Sequence, residues 1–191
     1  MMIGNSPPFV FTGITKTATQ TMFAVLSRYY GGRLDDNVNA HSVEIPEYAR
    51  DRFTFTVCRN PYDRAVSLWW STTQIPDEVK FDRYGFRAAC PNPDDFTAFA
   101  RWLATDAPEH ELTRTQAAHV AGVRLDAVLR FESLAEDFNR LPFYRGEPKV
   151  WPRENQTINE RGPWQDYMTD EARRWVLEWC ADDFNRFGYQ R

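Results

Sequence analysis

The chain has 191 residues, 42% of them hydrophobic and 15% aromatic, which is enough apolar surface for one well-packed core and predicts a single domain spanning residues 1–191. A formal net charge of −4 gives no long-range attraction for nucleic acid or an anionic membrane, so neither is expected as a partner, and any anionic ligand must be held by local positive charge. The first residues pass from Met1 into Gly4, Asn5 and Ser6 without a basic segment or a long apolar run, which predicts a cytoplasmic protein with neither signal peptide nor anchor.

The first element is Pro8-Phe9-Val10-Phe11-Thr12, a short β-favouring run punctuated by Gly13. A helical pattern then runs from Thr17 through Leu26 and is ended by Gly31-Gly32. The same logic recurs at Phe53–Cys58, a second strand, followed by the turn Arg59-Asn60 and a helix opened by Pro61 and running to Trp70. Residues 71–93 accumulate Pro, Asp and Lys and read as a loop. Phe96, Phe99, Ala100 and Leu103 mark one face of a helix capped near Asp94 or Asp95. Asp126–Phe131 is a third strand, followed by a helix through Leu134 and Phe138. Residues 142–168 are rich in Pro, Asn, Arg and Trp without periodicity and read as a long functional loop. A closing helix has Thr169 as N-cap, Asp170 and Glu171 at its positive end, and an apolar stripe of Trp175, Val176, Trp179, Cys180 and Phe184. Strands alternating with helices predict an α/β layered fold with a central, mainly parallel sheet flanked by helices, whose ligands bind beyond the carboxyl ends of the strands.

Both strand-turn-helix units open at that edge. A helix N-terminus after a strand presents backbone N–H groups and the positive end of the helix dipole to an anion. At the first unit Lys16 and the hydroxyls of Thr15, Thr17, Thr19 and Thr21 add to this. The glycine-rich G-x-x-x-x-G-K-[ST] loop is absent, since Gly13 is the only glycine in the loop ahead of Lys16, which weighs against a nucleoside triphosphatase. At the second unit Arg59 follows its strand directly, where a planar fork can grip a phosphate, and Ser67 lies on the helix that follows. A ligand with phosphates at both ends accounts for both loops.

These stretches resemble the sulfotransferase family that uses 3′-phosphoadenosine 5′-phosphosulfate (PAPS), especially its carbohydrate-type branch. Lys16-Thr17-Ala18-Thr19-Gln20-Thr21 is similar to the 5′-phosphosulfate loop, and Thr56 through Ser67 to the 3′-phosphate motif. Val128–Leu134 and Asp183–Tyr189 also look like family landmarks. The sequence departs from the pattern at Ala18, where glycine is common, and at Gln20, where threonine is common. The resemblance implies a P-loop-like three-layer fold, and it implies PAPS as co-substrate and PAP (3′-phosphoadenosine 5′-phosphate) as product. The nucleotide would be bound by Thr15, Lys16, Thr17, Ala18, Thr19, Gln20 and Thr21, by Arg59 and Ser67 at the 3′-phosphate, and by Arg161 from the late loop. Lys16 would contact the bridging oxygen and the sulfuryl group.

An alcohol acceptor also needs a general base. Of three histidines, His41 precedes the Arg59 strand by a short segment, in a position similar to that of His-type bases in related enzymes, whereas His110 and His119 lie far along the chain from both motifs. Glu44, one helical turn on, is the reserve base. The acceptor, a small molecule or a carbohydrate, would be selected by residues 71–93 and 142–168, with Trp69 or Trp70 offering a flat face to a sugar ring. No His/Cys/Asp cluster has metal-ligand spacing, so no metal is expected, and Cys58, Cys90 and Cys180 read as reduced, buried thiols. The alternatives are a P-loop small-molecule kinase and a PAP-binding module without catalysis.

Overall fold

A computed structural model describes residues 1–34, 44–74, 85–152 and 161–191. In chain order its elements are β1 (Met2–Asn5), β2 (Pro8–Thr12), α1 (Thr19–Tyr30), β3 (Arg33–Leu34), β4 (Phe53–Cys58), α2 (Pro61–Trp69), α3 (Phe86–Ala89), α4 (Phe96–Thr105), α5 (Gln116–His119), β5 (Ala127–Arg130), α6 (Leu134–Phe138) and α7 (Asp170–Phe187). The chain divides into two compact units, each made of two segments: Met1–Arg59 with Gln116–Gln156, and Asn60–Thr115 with Thr157–Arg191.

The first unit holds a five-stranded sheet in the order β3-β1-β2-β4-β5. β2, β4 and β5 run parallel, with Phe11 opposite Phe55 and Cys58 opposite Arg130, so their carboxyl ends share one edge. The two strands not foreseen, β1 and β3, extend the sheet antiparallel from β2. Alternation along β2 sends Phe9 and Phe11 to one face and Val10 to the other. Phe9 and Phe11 join Phe55, Val57 and Leu129 under Met22, Val25, Leu26 and Tyr30 of α1 and Phe138 of α6. Val10 meets Met1, Ile3 and Ala49 in a smaller cluster. The aromatic stack continues through Phe143, whose ring lies 5.2 Å from that of Phe9. At the carboxyl end of the sheet the hydroxyl of Thr56 donates to the Thr12 carbonyl across β2 and β4 (2.7 Å).

The second unit is helical and is organised around Tyr62, Val66, Leu68, Trp69, Phe99, Val176 and Phe184. Each of its long helices begins at a side-chain cap, and Asp95 and Thr169 are the caps the sequence predicts. Asn60 Oδ1 accepts from the backbone of Tyr62 (2.9 Å) and Asp63 ahead of Pro61, Asp95 from Thr97 (2.9 Å), and Thr169 from Ala172 (3.0 Å). On α7 Val176, Cys180 and Phe184 are buried as expected, while Trp175 and Trp179 are half-buried. All three cysteines are buried, and none of them forms a disulfide. Burial raises the Cys180 thiol well above its usual value, and the neighbouring Asp183 adds to the effect, so this thiol stays protonated. No helix among the described residues is long and apolar enough to cross a membrane.

Removing the cap that opens α2 should cost about 1 kcal/mol. Urea unfolding of Asn60→Ala should therefore show a lower midpoint at unchanged slope, and an unchanged midpoint would deny the cap any energetic role.

Candidate active site

The turn between β2 and α1 is held from inside. Ile14 is buried, and its carbonyl accepts from both the Thr17 hydroxyl (2.9 Å) and the Thr19 hydroxyl (2.5 Å). Those two threonines thus spend their hydroxyl hydrogens shaping the loop. Gly13 is required by the same packing, because a Cβ there would lie 2.5 Å from Thr19 Cγ2. Rotating the β-branched Thr19 out of the way would break its bond to Ile14.

Lys16 (φ 67°) and Ala18 (φ 66°, ψ 26°) both adopt the left-handed conformation. For residues with a Cβ this costs roughly 1–2 kcal/mol each. At Ala18, where the family pattern favours glycine, the position itself calls for one. Ala18 is also the N-cap of α1, and it supplies no side-chain acceptor to the first-turn amides, nor is there any acidic residue in that turn. The twelve-residue helix therefore presents the uncompensated positive end of its dipole at the loop. Thr15 is buried, Lys16 and Thr21 are half-buried, and Gln20 is exposed.

Arg59 is the first residue beyond β4 and is 8% exposed. Its backbone is gripped by a side chain 57 positions away: Arg59 N donates to Gln116 Oε1 (2.9 Å), and Gln116 Nε2 donates to the Arg59 carbonyl (2.9 Å). Arg59 Nη1 in turn donates to the carbonyl of Lys16 (3.0 Å), and the guanidinium lies over the Phe131 ring at 4.0 Å. The exits of β2 and β4 are thereby tied together at Lys16. Neither Gln116 nor Phe131 stands out from the sequence as a site residue. Gln116 opens the short α5 on which His119, buried and far along the chain from both motifs, also lies, so that segment is brought to Arg59 by the fold.

Ser67 is half-buried on α2 in the second unit. In the same unit Arg161 Nη2 pairs with Asp63 Oδ1 (2.5 Å) on α2, both side chains being mostly buried, while Arg161 Nη1 is buried without a hydrogen-bond partner among the described residues. Glu44 is exposed, and His41 lies outside the described residues. His110 Nδ1 accepts from the backbone of Leu112 (3.1 Å). Trp69 is a core residue, buried against Phe96 and Tyr167 with its indole N–H on the Pro93 carbonyl (2.8 Å); Trp70 is half-buried beside it.

The exits of β2 and β4 thus carry Lys16 and Arg59 beside the amino end of α1. The profile of the sulfotransferase family matches residues 1–190. The chain belongs to the sulfotransferase family. Sulfuryl transfer is accordingly its class of chemistry, and the match extends over both units of this sulfotransferase rather than over the anion loops alone. No curated protein and no solved structure matches the chain. Among the described residues of the sulfotransferase, no three His, Cys, Asp or Glu side chains cluster as metal ligands.

Relief of the left-handed strain at Ala18 outweighs the extra chain entropy that glycine brings to the unfolded state, so Ala18→Gly should raise stability by about 0.5–1 kcal/mol. Gly13→Ala should do the reverse, by about 1–3 kcal/mol, through the clash with Thr19. Thermal unfolding of the two variants beside the parent tests both signs.

Proposed function

We propose that this sulfotransferase moves a sulfuryl group from PAPS to a hydroxyl or amine of a small-molecule or carbohydrate acceptor, on a P-loop-like arrangement of β2, β4 and α1. The observation that carries the reading is the bond from Arg59 Nη1 to the Lys16 carbonyl at the shared carboxyl edge of β2 and β4. It ties Arg59, at the exit of β4, to the backbone of the loop that carries Lys16 at the exit of β2, which supports a ligand whose two anionic groups are met by two neighbouring loops of an acidic protein.

In this reading the 5′-phosphosulfate is bound at the loop from Thr15 to Thr21, with the first-turn amides of α1 and the Lys16 ammonium facing its negative charge. Arg59 takes the 3′-phosphate, and Ser67 and Arg161 contribute to the nucleotide by resemblance to the family motifs. Arg161 suits an anion because its buried Nη1 has no hydrogen-bond partner among the described residues, and a buried cationic N–H left unpaired is costly. The acceptor oxygen attacks sulfur, the bond from sulfur to the 5′-phosphate oxygen breaks, and PAP departs with that electron pair. Lys16 stabilises the charge growing on the departing oxygen. The acceptor proton passes to His41, with Glu44 as the alternative base.

Calorimetric titration with PAP, beside AMP and ATP and without added metal, tests the donor. Tight binding of PAP alone is expected; preference for ATP with Mg²⁺ would turn the reading toward a kinase. Arg59→Ala should weaken PAP by about 10- to 100-fold, the worth of one charged hydrogen-bonding group, and unchanged affinity would remove Arg59 from the 3′-phosphate. Lys16→Ala should lower the transfer rate by about 100-fold or more with the fold intact. His41→Ala should bind PAP normally and transfer about 10²- to 10⁴-fold more slowly; a normal rate would move the base elsewhere.

A further inference from the structure

Gln116 is fully buried, an unusual place for a primary amide unless both of its ends are satisfied. Here both ends are used on one residue, at 2.9 Å each, and that residue is Arg59. The location explains the choice of side chain. The β2–β4 pairing ends at Thr12 opposite Thr56, and the β4–β5 pairing at Cys58 opposite Arg130. Arg59 is the first residue past both ladders. The Gln116 amide therefore supplies what a neighbouring strand would have supplied there, one acceptor for the N–H and one donor for the C=O in a single plane. A carboxamide side chain offers that pair side by side while uncharged.

The consequence reaches the side chain. Once the Arg59 backbone is fixed, its Cα–Cβ direction is fixed, and the guanidinium is then confined between the Lys16 carbonyl at 3.0 Å and the Phe131 ring at 4.0 Å. A flexible arginine would lose several rotamers on meeting a phosphate, whereas this one is ordered in advance. We propose that Gln116 is a positioning residue for recognition of the 3′-phosphate, acting through the backbone of Arg59. The inference rests on the PAPS reading above, and it adds to it a residue that touches neither nucleotide nor acceptor.

The test is a double-mutant cycle on the full chain, with PAP and AMP as calorimetric probes, using Gln116→Met, which keeps the volume and loses both bonds, Arg59→Ala, and the two combined. Gln116→Met should weaken PAP by about tenfold and AMP by less than about threefold, and the double variant should bind PAP within about twofold of Arg59→Ala alone. Equal losses for PAP and AMP, or losses that add in the double variant, would mark Gln116 as a purely structural residue and overturn the inference. Should Gln116→Met fail to fold, NMR of the unaltered protein decides. The Gln116 side-chain amide protons should be slow to exchange and should shift on saturation with PAP but not with AMP, and the absence of that difference would overturn the inference equally. Failure of the parent protein to bind PAP is a different result, since it removes the donor reading itself, whereas PAP binding that ignores Gln116→Met removes only the role of Gln116.

Discussion

The hydrogen bond from Arg59 to the carbonyl of Lys16 connects two stretches of chain 43 residues apart, and the candidate site is organised around it. Parallel neighbours lie about 4.8 Å apart, so β2 and β4 bring their exits close without any help from side chains. Closeness alone does not set the loops. Lys16 sits in a left-handed conformation that a residue with a Cβ adopts only when its surroundings insist. Its carbonyl is held by Arg59 on one side of the turn, and the Ile14 carbonyl is held by Thr17 and Thr19 on the other. The strained turn is thus anchored at both ends, and the amino end of α1 is aimed by it.

The proposed nucleotide is an anionic ligand for an acidic chain. A formal charge of −4 spread over a surface is screened within about 10 Å at ordinary ionic strength. Arg59, bonded to the Lys16 carbonyl beside a helix start with no acidic residue in its first turn, would dominate at the shorter range over which the proposed nucleotide is held. Net charge governs approach, and local charge governs binding.

Much of this was legible in the sequence, and the parts that were not share a cause. β2 and β4 have the boundaries their apolar runs predict, and α7 begins at Thr169 because hydroxyl, acidic first turn and apolar stripe agree. β1 and β3 escape such reading because four and two residues are too few to display a period, and pairing with β2 and β1 makes them strands. The threonines of the first loop were read as donors to an anion, but composition does not reveal where a hydroxyl points, and Thr17 and Thr19 point at Ile14. Gln116 was invisible for a stronger reason: its partner is 57 residues away, and nothing in the local pattern of Gln-Ala-Ala-His distinguishes a buried clamp from a solvated helix. The two interleaved units, each built from two separate segments, leave no linker composition to betray them.

That division passes through the motif with the most specific resemblance, since Arg59 ends a segment of the first unit and Asn60 begins one of the second. Adjacent residues are accordingly fixed by independent devices. Asn60 is committed to α2, its side chain closing the first turn ahead of Pro61. Arg59 is committed to the sheet, its backbone completed by Gln116 and its guanidinium by Lys16 and Phe131. A cation placed by the helix cap alone would inherit every fraying motion of the helix start. Placed by a buried amide at the end of a ladder, it inherits the rigidity of the sheet, which is the condition under which a fixed charge can discriminate one phosphate position from another.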